Sequence, residues 1–110
     1  MNAPVLKNGA CVRANVDKPD RPGFILRVLE SGSLLIACTT EVPPQQGEPH
    51  VPIQKRSKAG DRLGLSKDSY IYGRSENCIW VVPPRDVVAN GRFITKPVFD
   101  DVAKITIYLM

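Results

Sequence analysis

The sequence predicts a small, mainly β domain, a strongly bent barrel of five to seven short strands with a short C-terminal helix. The chain has 10 prolines and 8 glycines spread along its length, which favours short strands joined by tight turns over long helices. Its apolar fraction of 43% is sufficient for a packed core. Its length of 110 residues predicts one domain over residues 1–110.

The first predicted elements are three strands in the N-terminal third. Residues 10–16 alternate between apolar and other side chains, and this period of two indicates a strand with one buried face. Prolines and a glycine at 17–23 end that strand. The apolar run at 24–29 predicts a strand buried on both faces, and 34–40 is its expected antiparallel partner across a turn at 30–33.

The middle of the chain predicts a long loop followed by two strands. Residues 41–64 are expected to be irregular, apart from an extended patch at 50–53, and a loop this long in a compact domain is more often functional than idle. Strands are predicted at 69–72 and 78–82, and Pro83-Pro84 ends the second of them.

The C-terminal part predicts one more strand and a helix. Residues 85–91 are expected to form a short helical turn or an extended link, and 92–95 a final short strand. Four apolar residues then occur at helical spacing, which favours a helix that starts near Pro97 and gives way to a strand. They are Val98, Val102, Ile105 and Leu109.

Charge and cysteine content restrict the class of protein. The formal charge of +4 permits a polyanionic partner but is equally compatible with an ordinary soluble domain. No apolar run approaches the roughly 18 residues that cross a bilayer, and no secretory signal is visible, so neither a membrane nor export is expected. Cys11, Cys38 and Cys78 are far apart and have apolar neighbours, which indicates reduced, mostly buried thiols in a cytoplasmic protein.

The residues that hold metals or cofactors in other proteins do not form a pattern here. One histidine and three scattered cysteines lack the spacing of a zinc site, and no Gly-x-x-x-x-Gly-Lys-Ser/Thr phosphate loop occurs. We therefore expect no metal and no cofactor. His50 is interpreted as a loop residue, and Asp100 and Asp101 as acids near the start of a helix.

An arginine and a threonine are expected to meet at the ends of two paired strands. Arg21 precedes the strand at 24–29, and Thr39 ends its antiparallel partner, so hairpin geometry brings the two together. A guanidinium beside a hydroxyl is suited to hold a phosphate. The structural alternative is an arginine held by a loop carboxylate, with a threonine pair finishing a strand.

Several segments together resemble the MazF/PemK-type toxins. The pattern consists of Arg21-Pro22 before a buried strand, the strand end at 36–40, the short strand at 50–53, and the segment at 64–71. The resemblance spans roughly residues 9–93.

The resemblance implies an SH3-like barrel, usually a homodimer, that cleaves single-stranded RNA without a metal. It makes Arg21 and Thr39 the catalytic pair: the ribose 2′-hydroxyl attacks the phosphate, Arg21 stabilises the phosphorane, and Thr39 orients the phosphate. A cognate antitoxin with an acidic, disordered tail is the implied partner. Seven residues are candidate RNA contacts. They are Thr40, Lys55, Arg56, Lys58, Arg62, Arg74 and Arg85.

Two other functions stay open. The barrel could be non-catalytic and bind a protein or a nucleic acid, or it could act on a protein target such as a topoisomerase. Tyr70 and Tyr72 are candidates for stacking on bases, whereas the apolar neighbours of Trp80 favour core packing.

Overall fold

The structure, a computed structural model, describes residues 6–73 and 77–106. This part of the chain contains seven strands, two α-helices and one 3₁₀ helix. The predictions of a mainly β fold, of five to seven strands and of a short C-terminal helix are confirmed. In chain order the elements are β1 (Ala10–Ala14), β2 (Arg21–Val28), β3 (Leu34–Cys38), β4 (His50–Ile53), α1 (Lys58–Leu63), β5 (Ser69–Tyr72), β6 (Ile79–Val82), the 3₁₀ helix (Pro84–Asp86), β7 (Val87–Phe93) and α2 (Lys96–Thr106).

Five strands form one antiparallel sheet in the order β6-β3-β2-β1-β7, and β4 and β5 form a second, two-stranded sheet. The predicted β2–β3 hairpin is present, with Gly32 at φ +90° in its turn, a conformation that favours glycine. Its register places Ile25 opposite Ile36. A bridge between Thr40 and Tyr70 connects the end of β3 to the smaller sheet.

The larger sheet has a hydrophobic core on one face, which we call the inner core. All five strands supply its buried residues, including the two strands at the edges. Residues 83–86 join the edge strands β6 and β7 and span at most about 17 Å, so the two edges approach each other at that end. Within the described residues β6 and β7 remain the edges of the hydrogen-bonded sheet, so the predicted barrel is not closed, although the small, mainly β fold is present. The inner core comprises Ala10, Val12, Ala14, Ile25, Leu34, Ile36, Cys38, Val82 and Val87.

A second core, the outer core, lies on the other face of the sheet. Phe24 of β2 packs there with Leu63 of α1, Ile71 of β5 and Val102 of α2, all almost completely buried. Burying a side chain of this size contributes about 1.5–3 kcal/mol. With a core on each face, β2 and β3 are covered on both sides, which explains their nearly continuous apolar sequences.

The second core corrects the prediction for β1. The alternation at 10–16 predicted one buried face, but Cys11 on the opposite face is fully buried in the outer core. Arg13, on that same face, is only half-buried. A period of two reports one apolar face, and it does not reveal that other elements cover the second face.

The prediction that 41–64 is irregular outside 50–53 was wrong at α1. The Ser57 hydroxyl accepts a hydrogen bond from the Gly60 N–H at 3.0 Å, and Gly64 ends the helix at φ +71°. Ala59 and Leu63, one helical turn apart, are both buried. This short capped helix was hidden by the polar, proline-rich residues around it.

The end of the chain follows the prediction in part. β7 begins at Val87, so the predicted final strand at 92–95 overlaps it only at its first two residues, and the 3₁₀ helix lies at 84–86. The predicted helix near Pro97 is confirmed as α2. Its expected continuation as a strand would fall mainly on 107–110, outside the described residues. In the described part of the chain, no helix is long and apolar enough to cross a membrane.

Candidate active site

Arg21 and Thr39 lie together, as the hairpin geometry predicted. Arg21 opens β2, and Thr39 directly follows β3. The guanidinium Nη2 of Arg21 donates to the Thr39 carbonyl oxygen at 2.7 Å, and the Thr39 N–H donates to the Pro22 carbonyl at 2.9 Å. Arg21 is 8% exposed and Thr39 is 5% exposed, so the pair is fixed at the edge of the core.

Two further contacts immobilise the Arg21 guanidinium. Its Nη1 donates to Asp17 Oδ1 and to the Asn77 carbonyl oxygen, each at 2.8 Å. Three of the five guanidinium N–H donors are thus bound to oxygen atoms on three separate segments of the chain. The side chain has little freedom to change its rotamer.

Asp17 offsets part of the Arg21 charge. The hydrogen bond from Arg21 holds the pKa of the Asp17 carboxyl below its usual range, so Asp17 is ionised at neutral pH. The Asp17 side chain is 43% exposed, whereas that of Arg21 is 9% exposed. This contact matches the structural alternative considered from the sequence, an arginine held by a loop carboxylate.

The hydroxyls of the two threonines are also occupied. Thr39 Oγ1 donates to the Pro22 carbonyl oxygen at 3.3 Å, a long hydrogen bond. Thr40 Oγ1 accepts from the Val42 N–H at 3.2 Å, and the Thr40 backbone pairs with Tyr70. Because its hydrogen bond to Pro22 is long, the Thr39 hydroxyl can change to another acceptor more easily than a group held by a short hydrogen bond.

Arg21, Thr39 and Thr40 line a cleft of about 550 Å³, which we call the Arg21 cleft. Its basic side chains outnumber its acidic ones by four to three. The basic residues are Arg13, Lys18, Arg21 and Lys67, and the acidic ones are Asp17, Asp20 and Glu41.

Arg13 and Lys67 were not among the residues predicted for the site. Arg13 Nη2 donates to the Gly64 carbonyl at 2.9 Å, and a Cβ on Gly64 would lie 2.6 Å from that nitrogen, so glycine makes room for the arginine. Lys67 is 3.7 Å from Glu41 in an exposed ion pair. The period of two in β1 placed Arg13 on the face opposite the inner core, but no sequence signal connected it to residue 64.

Most of the other predicted RNA contacts lie elsewhere. Lys58 and Arg62 of α1 line a second cleft of about 650 Å³, the Lys58 cleft, which shares no lining residue with the Arg21 cleft in the described part of the chain. Lys55 and Arg56 are exposed just before α1, and Arg85 is exposed in the 3₁₀ helix, outside the lining of either cleft. Arg74 lies outside the described residues.

The predicted aromatic contacts and the lone histidine do not line the Arg21 cleft. Tyr72 is 2% exposed and donates its hydroxyl to the Val42 carbonyl, so its ring is unavailable for stacking. Trp80 is half-buried and packs against the inner core, as its neighbours predicted. His50 is exposed and lies edge-on to Tyr70, with ring centroids 6.0 Å apart.

The two cysteines beside the site are inert. All three cysteines are free and buried, as predicted. Burial raises the pKa of the Cys38 thiol to about 12 and also raises that of Cys78. Because the thiolate is the nucleophilic form, neither residue is suited to attack a substrate.

Among residues 6–73 and 77–106, no three His, Cys, Asp or Glu side chains are grouped so that they could hold a metal ion. No protein-family model matches the chain, and no curated protein matches its sequence. The case for a function is therefore the chemistry of the Arg21 cleft: an immobile guanidinium, the neighbouring Thr39, and three further basic side chains in the lining. These groups are suited to bind a phosphate.

Proposed function

We propose that the protein is a metal-independent endoribonuclease of the MazF/PemK toxin type, acting on single-stranded RNA in the cytoplasm. The observation that supports this most is the position of Arg21, fixed beside Thr39 in a cleft that also contains Arg13, Lys18 and Lys67. The three free thiols agree with a reducing compartment.

The Asp17 contact indicates how a phosphate would enter. The Asp17 carboxylate oxygen shows that an anionic oxygen can reach Arg21 Nη1 from the cleft. Asp17 is on the short segment before β2 and is partly exposed, so it can be displaced more easily than the buried arginine. A phosphate oxygen would take its place, and the guanidinium fork accommodates two such oxygens.

In the proposed reaction, the ribose 2′-oxygen forms a bond to phosphorus, and the bond from phosphorus to the 5′-oxygen breaks. The 2′-hydroxyl loses its proton to water, and the departing 5′-oxygen gains one from water. The products are a 2′,3′-cyclic phosphate and a 5′-hydroxyl. Arg21 would stabilise the negative charge that develops on the phosphorane, and Thr39 would orient the phosphate by turning its hydroxyl from the Pro22 carbonyl.

Positive charge at the cleft would position the rest of the RNA. Arg13, Lys18 and Lys67 line the cleft beside Thr40 and are the nearest candidates for neighbouring phosphates. The remaining predicted RNA contacts stay predictions, and two of them, Lys58 and Arg62, belong to a cleft of different chemistry. A homodimer and a cognate antitoxin are further parts of the proposal, implied by the family resemblance.

The test is RNA cleavage in EDTA by the wild type, Arg21→Ala and Thr39→Ala, with end analysis of the products. We expect cyclic phosphate ends and a loss of at least about 100-fold in kcat/KM for Arg21→Ala. Thr39→Ser should retain more activity than Thr39→Ala because it keeps the hydroxyl. Arg27→Ala removes an exposed arginine that lies outside both clefts and is not a predicted RNA contact, so it is the matched control. A silent wild type, or undiminished cleavage by both alanine variants, would exclude the catalytic assignment.

The second candidate is a non-catalytic barrel that binds a nucleic acid or protein. The three hydrogen bonds of Arg21, one of them to the Asp17 carboxylate, favour it, since an arginine so engaged also serves a purely structural role. RNA binding that weakens steeply with salt, without any cleavage product, would support this candidate over the nuclease.

A further inference from the structure

The Lys58 cleft is built between α1, the end of β4 and the start of α2. Ile53 and Ala59 are buried and form part of its lining, Val98 is half-buried, and Pro52 and Pro97 are exposed beside them. The other lining residues are Gln54, Ser57, Lys58, Arg62, Thr95 and Lys96. The cleft thus combines an apolar floor with a rim of cations.

The cations at this rim can be reached by a ligand. Lys58 is exposed, and Arg62 is half-buried with Nη1 donating to the Phe93 carbonyl at 3.2 Å. Lys96 is bound to Asp100 at 2.8 Å, but its side chain is 85% exposed. Such a surface pair is weak, so a competing carboxylate could replace Asp100. None of the described residues that line the cleft is acidic.

The lining favours a peptide over a nucleic acid. Single-stranded nucleic acids are commonly held by stacking of bases on aromatic side chains, and no described residue lining this cleft is aromatic. Apolar side chains bordered by cations complement a segment with alternating acidic and apolar residues. Pro52 lies within β4 and has no N–H to offer, which disfavours addition of a strand at that position. Recognition would therefore depend on side chains.

We propose that the Lys58 cleft docks an acidic segment of a partner protein. Its carboxylates would contact Lys58, Arg62 and Lys96, while its apolar side chains would cover Ile53 and Val98. This inference does not depend on the ribonuclease activity proposed for the other cleft.

Among the described residues the two clefts share no lining residue, so a ligand in one need not displace a ligand in the other. α1 has six residues and is therefore about 9 Å long. Lys58 and Arg62 line the Lys58 cleft, whereas the Leu63 and Gly64 carbonyls bind Arg13 of the Arg21 cleft. A partner docked in the Lys58 cleft would thus leave the surroundings of Arg21 open.

The test uses the full ¹⁵N-labelled chain and a dodecapeptide of alternating glutamate and leucine. We expect amide shift changes at residues 53–62 and at Thr95, Lys96 and Val98, and a Kd about tenfold higher for Lys58→Gln/Arg62→Gln. Arg85→Gln is the matched control and should change the Kd less than twofold. A peptide with glutamine for glutamate, and one of glutamate alone, should each bind more weakly.

Several results would overturn the proposal. One is binding of the all-glutamate peptide, or of the glutamine-substituted peptide, as tight as that of the Glu-Leu peptide. Others are amide shift changes centred on Arg21, or failure of the Glu-Leu peptide to bind at millimolar concentration. An RNA dodecamer with 2′-O-methyl groups resists cleavage and serves as the competitor. If it displaces the peptide and shifts the same amides, the Lys58 cleft belongs to an RNA path instead.

Discussion

The two clefts, one lined by residues of α1 and the other by the residues that follow it, differ in how their positive charges are held. In the Arg21 cleft, a nearly buried guanidinium is bound by three oxygens and opposed by Asp17. In the Lys58 cleft, exposed cations border an apolar floor. A group that stabilises a short-lived charge must be immobile, and neighbouring contacts are needed to hold it. A group that attracts a partner must be accessible to the partner's carboxylates. We therefore expect the Arg21 cleft to depend on the exact position of one guanidinium. We expect the Lys58 cleft to depend on cations that a partner can reach.

The largest effect that tests this comparison is expected from Arg21→Lys. Lysine keeps the charge but lacks the planar fork, so we expect kcat/KM for RNA to fall at least about 100-fold. Binding of the Glu-Leu peptide to the Lys58 cleft should stay unchanged. Arg27→Lys, the same substitution at an exposed site outside both clefts, should alter neither quantity. A parallel loss of both functions would show that the clefts are one site.

Two glycines allow each cleft to be disturbed separately. A Cβ on Gly23 would collide with the Ala37 carbonyl oxygen and lie 3.0 Å from the Cys38 Cα, directly behind Arg21. A Cβ on Gly60, two residues after Lys58, would collide with the Gln54 carbonyl oxygen. It would also lie 2.7 Å from the Lys55 carbonyl oxygen. We expect Gly23→Ala and Gly60→Ala each to lower the free energy of unfolding by about 1–3 kcal/mol, measured in urea.

The location of the disturbance distinguishes the two variants. Gly23→Ala should reduce RNA cleavage more than peptide binding, and Gly60→Ala should do the reverse. If both variants impaired both functions equally, the two clefts would not be separate in the way proposed.

A smaller effect is expected from Asp17→Asn. The pKa of Asp17 is lower in the folded protein than in the unfolded chain, whose aspartates titrate near 4, so its ionised form stabilises the fold above about pH 4. This contribution is lost as the pH falls through the folded-state value. Since Asp17 is partly exposed, Asn at this position should cost up to about 1 kcal/mol at pH 7, and the difference should shrink as the pH falls below 4. Urea unfolding of the wild type and Asp17→Asn, at pH 7 and at a pH below 4, measures this difference in the free energy of unfolding.

Asp17→Asn also tests the proposal that a phosphate displaces Asp17 from Arg21. Removing the Asp17 charge should strengthen inorganic phosphate binding to the Arg21 cleft, which can be followed by NMR. Asp20→Asn changes a neighbouring acid of the same cleft and is the control. Weaker phosphate binding by Asp17→Asn would mean that Asp17 positions Arg21 rather than competing for it.

The smallest effect is expected in the salt dependence of RNA binding. Each lost phosphate contact should reduce the slope of log K against log salt by about 0.7 for a single strand. We expect this change for Lys18→Gln at the Arg21 cleft and no change for Lys58→Gln. The reverse outcome would move the RNA path to the Lys58 cleft.

Much of the site followed from local features of the sequence. Two apolar runs and a glycine turn were enough to pair β2 with β3 and to place Arg21 beside Thr39. The contacts that hold the guanidinium were less accessible: Asn77 is 56 residues away in sequence, and its carbonyl reaches Arg21 only because β6 pairs with β3. Likewise, Lys58 and Arg62 were grouped with the RNA contacts by their charge. Only the tertiary position of α1, a helix that the sequence did not reveal, places them in a different cleft.

The burial of Cys11, Cys38 and Cys78 has a practical consequence for labelling the protein with a dye. Thiols that are enclosed and deprotonate only at high pH react slowly with maleimide reagents at neutral pH. A single cysteine introduced at exposed Lys55 or Arg85 would therefore be the preferred attachment point for a dye. A fluorescent label could then be placed just before α1 or in the 3₁₀ helix while all three native cysteines are kept.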